Sequence, residues 1–197
     1  MFRRIGYKLG DGGMWLLSHL PLGVLYPFGF AMYGLLYYVV RYRRKVVMKN
    51  LAESFPEKTR EQLRETAKDF YLNFADYMVE TIRLGGMSER EIRSRITYED
   101  LEIVERYLEE KRPVVAYFSH CFNWEWVTSL GVVADVEGSE RSQVYRPLKS
   151  KWMDAYMLRI RERFGARCYA KATVFRELLR RRKEGVTTFT GFMSDQK

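Results

Sequence analysis

The segment VVAYFSHCFNWEW, residues 114–126, decides the fold because its pattern changes from strand to helix within one short stretch. Its first five residues form an apolar run after Pro113, which is typical of a buried strand. The run ends at the polar residues around Ser119, and WEWVTSLGVVA then has helical character. A strand that leads into a helix in this way indicates a parallel sheet with helices on its faces.

The same alternation continues to the end of the sequence. Two more strand patterns and two more helix patterns follow: SQVYR at 142–146, a helix at 151–164, a helix at 173–183 and GVTTFTGFM at 185–193. We therefore predict an α/β fold with a mainly parallel sheet that is covered by helices. Ligands of such sheets bind at the carboxyl ends of the strands. His120 follows one such end and Asp195 follows another.

An apolar segment near the amino terminus, residues 14–40, contains no formally charged residue. A helix needs about 20 such residues to cross a bilayer. Pro21 and Pro27 lack a backbone N–H and should kink or break a helix. The segment is predicted to associate with a membrane, either as one kinked span or as a shallow helical hairpin in the membrane plane. A buried core helix is the alternative.

A basic stretch follows the apolar segment. Only three cations lie upstream of the apolar segment, whereas this stretch contains five: Arg41, Arg43, Arg44, Lys45 and Lys49. The more basic flank usually stays cytoplasmic, which predicts that the rest of the chain faces the cytoplasm. Such cations attract anionic lipid headgroups, although an ordinary solvated flank has the same composition. The net charge of +9 also favours anionic partners, whether lipid, nucleic acid, phosphorylated substrate or acidic protein.

Helical patterns connect the apolar segment to the alternating part. Thr59 and Gln62 form a capping-box signal, and apolar residues then recur at three- and four-residue steps as far as residue 84. Shorter helix patterns follow at 88 and at 100–111. We predict three segments: a membrane anchor at 1–45, a helical connector at 46–112, and an α/β core at 113–197.

His120 and Glu125 suggest acid–base chemistry. A tight corner between strand and helix, with Asn123 capping the helix, would bring the two side chains together. An imidazole with one nitrogen held by a carboxylate presents the other as a base, which could activate a hydroxyl to attack an ester or thioester. The alternatives are structural: an acid favoured by the helix dipole and a histidine bonded to backbone. Cys121, next to His120, is another candidate for chemistry, as a nucleophile.

The motif at 120–125 resembles the H-x-x-N-W-E signature of the bacterial lipid A biosynthesis (lauroyl/myristoyl) acyltransferase family. Four further stretches are similar to segments of the same family, in the same order: RRKVVMKNLAESFPE at 43–57, VYRPLKSKWMD at 144–154, RERFG at 161–165 and SDQK at 194–197. The resemblance implies a fold like that of glycerol-3-phosphate acyltransferase, with residues 113–197 as the amino-terminal part of the catalytic core.

The resemblance also implies an activity. An enzyme of this family would transfer a fatty acyl chain from acyl carrier protein to a hydroxyl of a lipid A precursor or related glycolipid. It would act at the bacterial inner membrane with its catalytic part in the cytoplasm. Membrane lipids and acyl carrier protein would be its partners, nucleic acid would not, and acyl carrier protein thioester would be a co-substrate with no further cofactor. The scattered histidines and cysteines predict no metal site.

The resemblance assigns roles to individual residues. His120 would be the general base and Glu125 its orienting partner. The remaining positions would contact substrate: Asn123 and Trp124 would shape the site, Arg146 and Arg161 would face phosphates or the developing oxyanion, and Asp195 and Gln196 would border the pocket.

The sequence departs from the family pattern at several positions, namely Cys121, Phe122, Ser150 and Lys151. Family members also continue well past the motif at 194–197. We therefore expect a truncated chain in which residues 186–193 form an exposed sheet edge. Three other functions stay open from sequence: an inactive membrane-binding remnant, a lipid ester hydrolase that uses the same pair of residues, and a basic module that binds membrane or nucleic acid.

Overall fold

The computed structural model describes residues 2–134 and 136–195, with side chains from residue 6 onward. The first helices are α1 (Phe2–His19), α2 (Leu22–Gly34, continued by a π-helical turn at Leu35–Val39), α3 (Arg44–Ser54), α4 (Arg60–Leu84), α5 (Glu89–Arg95) and α6 (Leu101–Glu109). The alternating part then contains β1 (Val114–Phe118), a 3₁₀ helix (Trp124–Ser129) leading into α7 (Leu130–Val133), β2 (Ser139–Tyr145), α8 (Lys151–Arg161), β3 (Arg167–Ala170), α9 (Val174–Lys183) and β4 (Thr187–Met193).

The four strands form one parallel sheet in the order β1-β4-β2-β3. The predicted fold class is confirmed: the chain is a mixed α/β protein with a parallel sheet and an apolar helix near the amino terminus, and helices dominate it. β3 was not predicted. It is only four residues long, begins with a charged residue and lacks an apolar run, so its pattern is too weak to identify.

The last strand lies in the middle of the sheet. β4 pairs with β1 on one side and with β2 on the other, and its residues from Thr187 to Gly191 are buried. The expectation of an exposed edge at residues 186–193 is therefore wrong. The exposed surface lies instead on one face of β1, where Tyr117 is 74% exposed and Val115 is also open to solvent. Helices thus leave part of the sheet uncovered.

The apolar segment near the amino terminus folds as two consecutive helices. Pro21 lies at the start of α2 and separates it from α1, whereas Pro27 is inside α2. The stretch Leu22–Val39 is long and apolar enough to cross a membrane by length and composition, and only 22% of it is buried. α2 packs on α4 through Leu22, Leu25 and Gly29 and leaves most of its other apolar side chains exposed.

Helix α4 is the scaffold against which the amino-terminal helices pack. Its capping box is confirmed, because Gln62 N donates to Thr59 Oγ1 and Thr59 N donates to Gln62 Oε1. Its buried residues include a row at four-residue steps: Leu63, Ala67, Tyr71, Ala75 and Val79. Phe70 belongs to the apolar pattern that predicted this helix, but its side chain is exposed. Beyond Ala67 the buried residues lie one position further along the chain than that pattern predicts, beginning with Tyr71 in place of Phe70.

One apolar cluster joins the three predicted segments. It contains residues from the anchor, the connector and the α/β part: Leu22, Leu25, Val79, Leu84, Met87, Ile92, Val132, Tyr156, Ile160 and Phe164. The division at residues 45 and 112 stays a prediction about chain organisation, but the packing places the three segments around shared core residues. The relative position of α4 and the sheet is fixed by this cluster, and the site lies at their junction.

Candidate active site

The pairing of β1 with β4 brings His120 to Asp195. Phe118 and Met193 are opposite each other at the carboxyl ends of these strands, and Ser194 N donates to Phe118 O at 3.0 Å. Just beyond, the backbone N of His120 donates to Asp195 Oδ2 at 2.8 Å, and His120 Nδ1 lies 2.7 Å from Asp195 Oδ1. Both side chains are about one-third exposed, at 29% and 33%.

The Asp195 carboxylate orients the imidazole. The backbone N–H of His120, followed by its ring, lowers the pKa of Asp195 from its ordinary value of 3.8. An ionised carboxylate beside Nδ1 favours the tautomer that carries its proton on Nδ1, which leaves a lone pair on Nε2. Among the described residues, Nε2 has no hydrogen-bond partner. The ring is therefore arranged to accept a proton from outside the protein.

A row of aromatic rings leads along α4 to His120. Phe74 and Tyr77 lie one turn apart with near-parallel rings, and Tyr77 stacks on Trp124 with ring centroids 4.5 Å apart. Trp124 in turn meets the His120 ring edge-on at 4.8 Å. Trp124 therefore lies against His120, and its role in shaping a substrate site stays a prediction. The row gives the imidazole one aromatic wall.

Glu125 does not hold the imidazole. It is 2% exposed, and its carboxylate receives two hydrogen bonds from Arg161, from Nε at 2.7 Å and from Nη2 at 2.6 Å. Tyr77 OH lies 3.5 Å from the same carboxylate. The prediction that Glu125 contacts His120 is wrong, because the 3₁₀ helix directs this carboxylate towards α8 and α4. A carboxylate buried so completely requires a cation, and Arg161 supplies it.

Arg161 is engaged inside the protein. Burial disfavours its charged form, but the hydrogen bonds and the charge of Glu125 outweigh that effect and raise the pKa of Arg161. The pKa of Tyr77 is also raised, first by burial and then by the negative charge of Glu125. The Nε and Nη2 of Arg161 donate to Glu125, and the expectation that Arg161 faces a phosphate or an oxyanion stays a prediction. Arg161 supports the 3₁₀ helix that carries Trp124.

Asn123 directly precedes the 3₁₀ helix but does not cap it with its side chain. Its Nδ2 donates to Glu80 Oε2 at 2.9 Å, while Oδ1 is buried and has no hydrogen-bond partner among the described residues. Glu80 also accepts a hydrogen bond from Tyr26 OH at 3.1 Å. Sequence reasoning missed Glu80 and Tyr77. The only signal was their three-residue spacing on one face of α4, which does not reveal what packs there.

Arg146 follows β2 at the carboxyl-terminal end of the strands, as His120 follows β1. Because β4 lies between β1 and β2, the end of β2 is two strand spacings, roughly 10 Å, from the end of β1. Arg146, Lys149 and Lys151 are exposed, and within residues 136–195 no carboxylate pairs with them. The cations of α9 differ, because Arg180 and Arg181 form ion pairs with Glu177, Glu184 and Glu140.

The remaining candidate residues are Gln196 and the two cysteines. Gln196 lies outside the described residues. Cys121 is exposed, and no hydrogen bond in the described part of the chain joins it to His120. Cys168 is half-buried, and burial raises the pKa of its thiol to about 11. In the described ranges, no three His, Cys, Asp or Glu side chains come together in a way that could hold a metal ion.

Comparison with known proteins identifies the family. The sequence model of the family described as "Bacterial lipid A biosynthesis acyltransferase" matches residues 1–197. No curated protein matches the sequence. The family match covers the apolar helix, the connector and the sheet, and it includes the corner where His120 meets Asp195. The chain belongs to the bacterial lipid A biosynthesis acyltransferase family.

Proposed function

We propose that this protein transfers a fatty acyl chain from acyl carrier protein to a hydroxyl of a lipid A precursor or a related glycolipid. The transfer takes place at the inner membrane, with the sheet on the cytoplasmic side. The observation that carries the proposal is the His120 ring, oriented by Asp195 through Nδ1 and open at Nε2. Membership of an acyltransferase family supports the reaction class.

The chemical step needs one base. Nε2 of His120 takes the proton of the acceptor hydroxyl as its oxygen attacks the thioester carbonyl and forms the new C–O bond. The C–S bond then breaks, and the proton passes from His120 to the departing thiolate. The Asp195 carboxylate stabilises the imidazolium while the proton resides there. General base catalysis of this kind contributes roughly 10²–10⁴-fold to the rate.

Glu125 acts on the same step from a distance. Paired with Arg161, it fixes the 3₁₀ helix that starts at Trp124, and Trp124 packs against the imidazole. The glutamate of the motif is therefore a positioning residue in our proposal, and Asp195 is the direct partner of the base. A direct contact between Glu125 and His120 would require Arg161 to release the carboxylate.

The substrates fit the surroundings of His120. The aromatic row along α4 offers an apolar surface for a fatty acyl chain. The exposed cations after β2, Arg146, Lys149 and Lys151, offer a basic surface to the acidic carrier protein or to the phosphates of the acceptor. The exposed apolar side of α2 supports attachment to the membrane in which the acceptor resides.

Product analysis tests the proposal. Purified full-length chain is incubated with acyl carrier protein thioester and a lipid A precursor in mixed micelles, and lipids are identified by mass spectrometry. We expect acylated glycolipid to form in equal amount to the released carrier thiol, and none without the acceptor. Free fatty acid formed without acylated glycolipid would refute transfer and identify a hydrolase. Unchanged thioester and acceptor would indicate the inactive membrane-binding remnant.

A further inference from the structure

A basic cleft lies at the opposite end of α4 from His120. It encloses about 680 Å³ between the turn that precedes α3 and the start of α4. Six cations line it, together with Val46 and Met48: Arg41, Arg43, Arg44, Lys45, Arg60 and Arg64. The proposed acyl transfer does not use this cleft. No residue of the candidate active site borders it.

The six cations of the basic cleft form no ion pairs with carboxylates within the described part of the chain. Arg44 lies over the Tyr37 ring at 4.4 Å and donates to Tyr37 OH at 3.2 Å, and neither contact neutralises its charge. Glu65, on the same part of α4, is already paired with Lys68. Like charges held this close favour the binding of an anion.

The backbone holds these cations together. Arg41 and Arg43 have φ angles of 53° and 51°, in the left-handed region that residues other than glycine seldom adopt. The turn is tied to α4 by Tyr71 OH, which donates to the carbonyl of Tyr42. This turn between α2 and α3 therefore places its arginines around one cleft.

The surface beside the basic cleft is apolar. The carboxyl-terminal end of the apolar stretch Leu22–Val39 runs directly into the turn, and Tyr38, Val39, Val40 and Tyr42 are exposed there. Tyrosines and aliphatic residues followed by arginines are typical of the membrane–water boundary. A ligand in this place would combine an anionic head with an acyl tail. A nucleic acid or an acidic protein would leave the apolar surface uncovered.

We propose that the basic cleft binds the phosphate-bearing headgroup of an anionic phospholipid, while the acyl chains of that lipid lie along the end of α2. This is a second lipid site. Arg64 and Tyr77 are thirteen positions apart on α4, which corresponds to roughly 20 Å at 1.5 Å per residue. The bound lipid would fix the depth of the amino-terminal end of α4 at the membrane surface. The site would exist whether or not the chain transfers acyl groups, so its test is independent of catalysis.

The test measures binding of short-chain lipids to the purified full-length chain in a neutral detergent. The probes are dihexanoyl phosphatidylglycerol, dihexanoyl phosphatidylcholine, inorganic phosphate and acyl carrier protein, and affinities are measured by isothermal titration calorimetry at low and high salt. The test variant combines Lys45→Gln, Arg60→Gln and Arg64→Gln. The matched control combines Arg176→Gln, Arg182→Gln and Lys183→Gln, which makes the same chemical changes at exposed helical positions of α9.

We expect the parent chain to bind phosphatidylglycerol more tightly than phosphatidylcholine or phosphate. The test variant should lose at least tenfold in this affinity and up to about 100-fold at low salt, since each cation near a membrane surface contributes on the order of 1 kcal/mol. The control should stay within about twofold of the parent. Glutamine is a good helix former, so both variants should keep the parent's circular dichroism spectrum.

Four results would overturn the proposal. The first is equal affinity of the test variant and the parent for phosphatidylglycerol. The second is inorganic phosphate binding as tightly as phosphatidylglycerol, which would indicate a site for a free anion. The third is loss of binding to acidic acyl carrier protein with phosphatidylglycerol binding unchanged, which would indicate a protein-docking surface. Salt-independent binding by the parent would also exclude these cations as the source of affinity.

Discussion

At the scale of single residues, His120 and Asp195 are 75 positions apart in sequence and in direct contact in space. Asp195 is held by two hydrogen bonds from one residue, and this lowers the pKa of its carboxyl group. Glu125, only five positions from His120, is committed to Arg161. The distance along the chain is therefore a poor guide to which carboxylate lies beside the imidazole.

Asp195→Asn should reduce kcat by about 10²–10⁴-fold, because an amide no longer selects the tautomer with its lone pair on Nε2. KM should change little, since Asp195 touches the base and no substrate in our proposal. The measurement is steady-state acyl transfer, with Asp69→Asn, an exposed aspartate of α4, as the matched control. A parent-like kcat in Asp195→Asn would contradict the role of Asp195.

The contact between His120 and Asp195 also predicts how the stability of the fold depends on pH. Because the pKa of Asp195 is lower when folded, its contact with His120 stabilises the native state above the ordinary value of 3.8 and stops doing so as the pH falls through the lowered value. The melting temperatures of the parent and of Asp195→Asn should therefore differ near neutral pH and converge below 3.8. A difference that persists in strong acid would show that the ionised carboxylate is not the cause.

Arg161→Ala should lower the free energy of unfolding by about 3–5 kcal/mol, because it leaves the Glu125 carboxylate buried without a cation. The double variant Glu125→Leu with Arg161→Met removes both charges and should lose much less. Chemical denaturation of the three proteins measures the difference. If the single and double variants are equally destabilised, unpaired charge is not the reason for the loss.

At the scale of elements, the position of the 3₁₀ helix and α7 depends on a close approach of two backbones. A Cβ added at Gly131 would lie 1.9 Å from the carbonyl oxygen of Phe164, in the segment between α8 and β3. Neither backbone can move without shifting the helix that carries Trp124 and Glu125. A glycine at this position is therefore required by packing.

Gly131→Ala should destabilise the fold by about 1–3 kcal/mol as an overpacked substitution. Gly13→Ala is the control, because nothing lies within 4 Å of the added methyl group in α1 and alanine favours a helix. Thermal or chemical unfolding of both variants measures the effect. A Gly131→Ala protein as stable as the Gly13→Ala protein would contradict the close contact with Phe164.

Elements set by local sequence were predicted well, and those set by distant pairing were not. The strand at 114–118, the capped helix α4 and the positions of α8 and α9 follow from short apolar patterns and caps. The place of β4 between β1 and β2 depends on strand order, which no local pattern encodes. That order decides that Asp195 reaches His120. The family motif predicted His120 and Glu125 as partners, whereas the structure pairs His120 with Asp195 and Glu125 with Arg161.

At the scale of the whole molecule, α4 connects two chemically different ends. One end lies beside the basic cleft and the exposed apolar end of α2, and the other contributes Tyr77 and Glu80 to the surroundings of His120. The shared apolar cluster holds α2, α4 and the helices of the sheet in fixed relation. In our proposals, the phospholipid site and the base thus lie at opposite ends of one helix.

The different reactivity expected of the two cysteines tests the packing of the helices and strands around the sheet. Cys121 is exposed, whereas Cys168 is half-buried with its thiol pKa raised to about 11 by burial. Iodoacetamide near neutral pH should therefore modify Cys121 alone, since only the thiolate reacts rapidly. Peptide mass spectrometry of the folded chain identifies the labelled residue, and unfolding in urea should make both react. Equal labelling of Cys168 in the folded chain would contradict the packing between β2, β3 and α8.

The account depends most on His120 as the proton acceptor, and single-turnover acyl transfer by His120→Ala tests it most directly. Parent and variant are compared at saturating acyl carrier protein thioester and acceptor, after circular dichroism has shown that both are folded. We predict that His120→Ala transfers acyl groups about 10²–10⁴-fold more slowly than the parent. A rate constant within about twofold of the parent, where general base catalysis predicts a far larger loss, would contradict the account.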